Sequence, residues 1–139
     1  MSEEIFVKIP SNYKFLNLVD KITCELADEH GLGQKLIDEV AISVIEACTN
    51  AIEHGNKCCP EETVEIVYRL MDDRFSVEVY DHGNGFDYKS YFEHIPDPKD
   101  IHHSRGRGLY IMRQMMDALE FEMVSGRGMK VTLQKLKDV

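Results

Sequence analysis

Two hairpins constrain this chain more than any other feature. "TVEIVYRL" alternates Val64, Ile66, Tyr68 and Leu70, and "FSVEVYD" alternates Phe75, Val77 and Val79, with "MDDR" between them. A second pair near the C-terminus, "LEFEMVS" and "MKVTLQKL", is joined by "GRG". Alternation on both sides of a short turn predicts antiparallel strands, because successive side chains of a strand point to opposite faces. "EEIFVKIP" adds another strand, with Ile5, Val7 and Ile9 in step. A sheet of this kind must bury one face against a second layer.

Helical spacing supplies that layer. Phe15, Leu16, Val19, Ile22 and Leu26 recur every three or four residues across 12–29,. Pro10 closes the strand before them, and Ser11 is placed to cap the helix. Ile37, Val40, Ala41, Val44, Ile45, Cys48 and Ala51–Ile52 repeat the pattern over 34–53. "HGNKCCP" ends that helix, with Gly55 read as its C-terminal glycine. A third helix is expected to start near Gly108, carrying Leu109, Ile111, Met112, Met115, Met116 and Leu119. Between the central hairpin and this helix, 86–104 reads as a lid or a mobile loop. The order is β-α-α-β-β-(loop)-α-β-β. Helices and strands segregate, which predicts an α+β fold: a two-layer sandwich of a mostly antiparallel mixed sheet with helices on one face.

The 139 residues suggest one domain, 1–139, long enough to bury a core without disulfides or metal,. Cys24 and Cys48 sit in apolar helical patterns and read as core thiols. The adjacent Cys58 and Cys59 lack zinc-ligand spacing. A formal net charge of −9 argues against direct nucleic-acid binding and leaves room for a basic protein partner,. No apolar run nears the ~18 residues that span a membrane. "MSEEIFVKIP" lacks the basic start and apolar core of a signal peptide, so the expectation is a cytoplasmic protein.

Three polar constellations stand out. In "VIEACTNAIEHGN", Glu46, Asn50, Glu53 and His54 share one stripe at about 100° per residue,. Such a stripe is normally a solvated face. Here small and apolar residues surround Glu46 and Asn50, and an asparagine within a helix often has a side-chain task. A carboxylate and an amide one turn apart can bind a divalent cation. In "YDHGNGFD", Asp81 ends a strand and is followed by Gly83 and Gly85. This is either turn chemistry or a carboxylate with room for a ligand beside it. In "SRGRGLYIM", Gly106 and Gly108 open a helix, where backbone N–H groups can bind phosphate, and Arg105 and Arg107 add positive charge,.

Together, in this order, the motifs resemble those of the GHKL ATPases, the superfamily of histidine kinases, DNA gyrase and mismatch-repair ATPases. "EACTNAIEHG" resembles their N box, "DHGNGFD" their first glycine box and "RGRGLYIM" their second. Within the superfamily the chain is most similar to the small anti-sigma-factor serine kinases, through Asn50-Ala51-Ile52-Glu53-His54-Gly55 and "GLYIMRQMMD".

The resemblance implies the Bergerat, or histidine-kinase-like ATPase, fold with ATP held between helices and sheet. It implies that Asn50 coordinates Mg²⁺, that Asp81 accepts from the adenine amino group, and that Gly83 and Gly85 make room for the base. Gly106 and Gly108 would hold phosphates, and Glu46 would be general base toward an acceptor serine. His54 and Leu109 join the nucleotide-binding set through the same motifs, and either Arg105 or Arg107 would meet the γ-phosphate. The partners implied are a sigma factor and an anti-anti-sigma protein with a STAS domain, and the protein would be a homodimer. Two other readings are a nucleotide-gated binding module without phosphate transfer and a histidine-kinase catalytic domain acting in trans. The chain departs from the family in "GRGMKV", where Met129 stands at a position that is typically threonine. The segment "HIPDPKDIHHS" offers His94, His102 and His103 as a metal site, or is simply a surface loop.

Overall fold

The computed structural model describes residues 2–57, 59, 61–83, 104–124 and 128–137, and of 104–107 the backbone only. Both hairpins form. Strands β1 (Glu3–Pro10), β2 (Thr63–Met71), β3 (Arg74–Tyr80), β4 (Ala118–Val124) and β5 (Gly128–Leu136) make a five-stranded sheet in the order β1-β2-β3-β5-β4. Every described pairing is antiparallel, so the sheet is not mixed. The register explains the alternation: Val7, Ile66, Val79, Val131 and Phe121 line up as successive cross-strand partners. These residues and their row neighbours face the helices, and most are buried.

Helices α1 (Leu16–Glu29), α2 (Gln34–Asn50) and α3 (Ser104–Met115) form the second layer. Val19, Val40, Val44, Leu109 and Met112 are fully buried between the layers. Cys48 joins them, and burial pushes its thiol up to about 12, which makes it an inert core group. Lys135 is the odd member of the inward row of β5. Its ammonium, almost fully buried, donates to Glu39 Oε2 on α2 and to the carbonyl of Met115 at the end of α3, both at 2.5 Å. That one side chain ties the sheet to two helices.

The helix ends correct several expectations. Ser11 does not cap α1. A 3₁₀ turn, Tyr13–Phe15, precedes the helix, and Asn12 caps it by accepting from the Lys14 N–H. Gly55 does not end α2 as a left-handed glycine; after this helix the left-handed residue is Lys57, with φ 51°, whereas after α1 it is Gly31, with φ 87°. Instead α2 continues into a π turn, Ala51–Gly55, closed by the Asn56 N–H bonding to Ala51 O at 2.7 Å. The third helix begins at Ser104 rather than near Gly108, so the glycines lie inside its opening turns. A helical glycine costs only about 1 kcal/mol relative to alanine, and the burial of Leu109 and Met112 outweighs it. Gly85, Cys58, the expected lid and its histidines lie outside the described residues. Among the described residues, no helix is long and apolar enough to cross a membrane.

Candidate nucleotide site

The pocket lies where the end of α2 approaches the sheet. Its lining includes Asn50, Ala51, His54 and Gly55 from the helix side and Val79, Asp81, Phe121, Met129 and Val131 from the sheet. The walls are largely apolar, with few polar groups, as small-molecule sites usually are. The π turn helps to shape it: widening the helix here carries His54 and Gly55 round to the pocket. Single π turns of this kind are frequent at functional sites.

Asp81 is the carboxylate of the pocket, and only 7% exposed. Its Oδ1 accepts from the Gly83 N–H at 2.7 Å and, more weakly, from the Met129 N–H at 3.4 Å. The Asp81 N–H in turn donates to Met129 O at 3.0 Å. Burial pushes the carboxyl above its ordinary value, against the pull of those N–H donors,. The residue at 129 therefore grips Asp81 through its main chain, which any residue but proline supplies, while the Met129 side chain forms part of the wall.

Asp81 is held by close backbone approach on several sides. A β-carbon on Gly83 would stand 2.3 Å from Gly55 O, and one on Gly128 would stand 2.1 Å from Asp81 O. Gly128 also has φ 116°, where side chains are strained,. Gly83 thus serves packing of protein on protein, a task separate from making room for a base.

The second cluster is polar. A β-carbon on Gly108 would lie 2.6 Å from Glu46 Oε2 and 3.7 Å from Asn50 Nδ2. The start of α3 therefore rests on the Glu46–Asn50 face of α2, and a glycine is what lets it. Gly106 shares those opening turns, as do Arg105 and Arg107. Leu109 turns into the core. Of the polar stripe on α2, Asn50 and His54 reach the pocket, whereas Glu53 accepts from Tyr13 Oη at 2.6 Å and sits 3.6 Å from His54 Nε2.

One participant escaped the sequence reading. Asn56, 5% exposed, accepts at Oδ1 from the His82 N–H at 2.8 Å and donates through Nδ2 to Thr63 O at 2.9 Å. The available signal was only an asparagine following the glycine of "HGN", which reads equally well as turn chemistry.

An antiparallel sheet layered with helices, with a carboxylate at an apolar pocket between the layers, is the class of fold and site that the motifs lead one to expect of a histidine-kinase-like ATPase. Residues 9–135 match the histidine kinase-like ATPase domain, and the chain belongs to that family. It is 31% identical to the serine-protein kinase RsbW of Bacillus pumilus, over 88% of this chain and 80% of that protein. It is 29% identical to an RsbW of the same description from Bacillus cereus, over 96% and 84% respectively. The fold also matches a crystal structure of the RsbU and RsbW domains of a Mycobacterium tuberculosis protein, with a TM-score of 0.65 at 16% identity. That match covers 99% of this chain but 33% of the longer one, and it bears on the fold alone.

Proposed function

We propose that this chain is an ATP-dependent serine-protein kinase and anti-sigma factor. It binds a sigma factor and phosphorylates a serine on an anti-anti-sigma protein with a STAS domain, and partner exchange then frees the sigma factor. The observation that carries the reading is the buried Asp81 carboxylate in a pocket that also contains Asn50, in a chain similar over most of its length to serine-protein kinases.

Each role follows from chemistry that the position allows. Both described bonds to the Asp81 carboxylate fall on Oδ1, so Oδ2 accepts from the adenine amino group. Val79, Met112, Phe121 and Met129 cover the base, with His54 at its margin; the motif assigns Gly85 room for the base, while Gly83 keeps the loop against Gly55. The phosphates extend toward Asn50 and the start of α3, where the free N–H groups of the first turn, that of Gly106 among them, point at negative charge,, and Gly108 and Leu109, one turn on, set that helix start against α2. The Asn50 amide oxygen is a hard donor one helical turn from the Glu46 carboxylate, a donor set whose chemistry fits Mg²⁺. Held by Asn50, the ion would supply charge neutralisation to the phosphates. Arg105 or Arg107 adds positive charge at the γ-phosphate. Glu46 takes the proton of the acceptor serine as its oxygen bonds to the γ-phosphorus and the bond to ADP breaks. Positioning and electrostatics of this kind account for most of phosphoryl-transfer catalysis.

The same reading makes the protein a cytoplasmic homodimer with protein partners, in keeping with its −9 charge. Incubation with ATP, Mg²⁺ and a cognate STAS protein tests it. Acid-stable phosphoserine is expected, and it should be lost in Glu46→Ala. Acid-labile phosphohistidine, or no transfer at all, would overturn the assignment.

A further inference from the structure

We propose that Asn56 is a positioning residue that latches the end of α2 onto the Asp81 loop and so sets the affinity of the base site. This deepens the nucleotide-site reading and rests on it. The geometry lies in adjacent residues. Gly55 packs against the Asp81 carboxylate, and the residues that follow them, Asn56 and His82, are joined by the hydrogen bond from the His82 N–H to Asn56 Oδ1 at 2.8 Å. The latch therefore clamps the helix end against the loop one residue from the contact that shapes the pocket.

Asn56 is suited to the task because an amide both accepts and donates. While Oδ1 holds the loop, Nδ2 donates to Thr63 O at 2.9 Å at the start of β2, and reaches Ser11 Oγ at 3.4 Å after β1. His82 is tied a second time, through a 3.1 Å hydrogen bond between its Nε2 and Thr63 Oγ1. One buried side chain thus joins the π turn, the β1–α1 junction, β2 and the loop. Asn56 itself does not line the pocket, so it acts through Asp81 and touches no reacting atom. A loop held in its binding geometry before the ligand arrives spares the ordering cost at binding. Within the loop, the Gly83 N–H bond to Asp81 Oδ1 then fixes which way the carboxylate faces. An aspartate at 56 keeps the acceptor and loses the donor; an alanine loses both and leaves the Thr63 carbonyl and His82 N–H without their partner.

The test compares Asn56→Ala and Asn56→Asp with the full-length wild type in two measurements. Hydrogen exchange in the nucleotide-free protein should rise at the His82 and Gly83 amides in Asn56→Ala, while exchange in the core of α2 stays at the wild-type rate. Calorimetry should show ATP binding about tenfold weaker in Asn56→Ala, the effect of losing one buried hydrogen bond, with kcat at saturating ATP within about twofold of wild type. Asn56→Asp should protect His82 better than the alanine. In an Asp81→Asn background, Asn56→Ala should weaken ATP binding no further. A purely structural asparagine would instead raise exchange throughout the protein, or weaken binding equally in both backgrounds, and either result overturns the proposal. Unchanged His82 exchange overturns the latch whatever the nucleotide data. Wild type that binds no ATP, with His82 exchange raised as expected, refutes the base-site reading and with it the role in affinity.

Discussion

Gly55 and Asp81 touch only because residue 55 has no side chain. A β-carbon there would stand 2.2 Å from both Cγ and Oδ2 of Asp81. The carboxylate cannot easily withdraw, since its other oxygen is held by the Gly83 and Met129 N–H groups. The end of the helix and the end of the strand are fitted to each other at the one carboxylate that lines the pocket among the described residues.

Gly55→Ala should therefore cost about 2 kcal/mol of stability, the usual scale of overpacking. It should also weaken ATP binding, because relief of the clash turns Asp81 or moves the helix end. Thermal unfolding and calorimetry on the same sample check both. An unchanged melting temperature together with wild-type affinity would mean that the contact is not real.

Gly108→Ala separates chemistry from fold. The new methyl would meet Glu46 Oε2 at 2.6 Å, and the end of a carboxylate side chain can move aside. Alanine is the better helix former by about 1 kcal/mol, so stability should stay level or rise. Phosphate transfer should nonetheless fall at least about tenfold, since small misplacements of a catalytic group are costly. Loss of stability with transfer intact would place Glu46 outside the chemistry.

The buried Asp81 carboxyl gives ATP binding a pH dependence. It must be ionised to accept from the adenine amino group, and burial raises its pKa above the ordinary 3.8. Binding should weaken as pH falls, with a midpoint above 3.8 that disappears in Asp81→Asn. The stability effect has the opposite sense. Between the unfolded and the raised folded pKa, the native state holds the extra proton, so Asp81's contribution to stability falls as pH rises through that window. A midpoint at or below 3.8 would show that the group is not desolvated.

Lys135→Met should cost about 3 kcal/mol, because it strands the Glu39 carboxylate and the Met115 carbonyl that the ammonium now satisfies at 2.5 Å,. Adding Glu39→Leu should recover much of this, since only the Met115 carbonyl is then left without its partner. Denaturant unfolding of both variants decides it; a loss below about 0.5 kcal/mol for the single variant would mean the pair is already solvated.

Much of this was legible in the sequence because period is local. Val64, Ile66, Tyr68 and Leu70 announce their strand, and Ile37, Val40 and Val44 their helix, from spacing alone. The three motifs of the site were legible for the same reason, each being a short run of neighbours. What stayed hidden depends on distant partners. Nothing near residue 55 reveals that it faces residue 81, so a glycine that clears a carboxylate looked like a helix terminator. Asn56 looked like turn chemistry until His82 was placed opposite it. The opening glycines of α3 set the expected helix start near Gly108, because the α2 face that accommodates that glycine lies far away in sequence. Met129 raised the converse problem: the side chain changes at a typically threonine position, whereas the grip on Asp81 is made by its main chain.

The most direct measurement of the central claim, that the Asp81 pocket is an ATP site, is calorimetry of the wild type with ATP and ADP, with and without Mg²⁺, beside Asp81→Asn. The wild type should bind both nucleotides, ATP more tightly when Mg²⁺ is present, and Asp81→Asn should bind either at least about tenfold more weakly, the loss of a hydrogen bond to a charged group, while unfolding at a temperature close to wild type. Absence of binding in the wild type, or equal binding by Asp81→Asn, would contradict it.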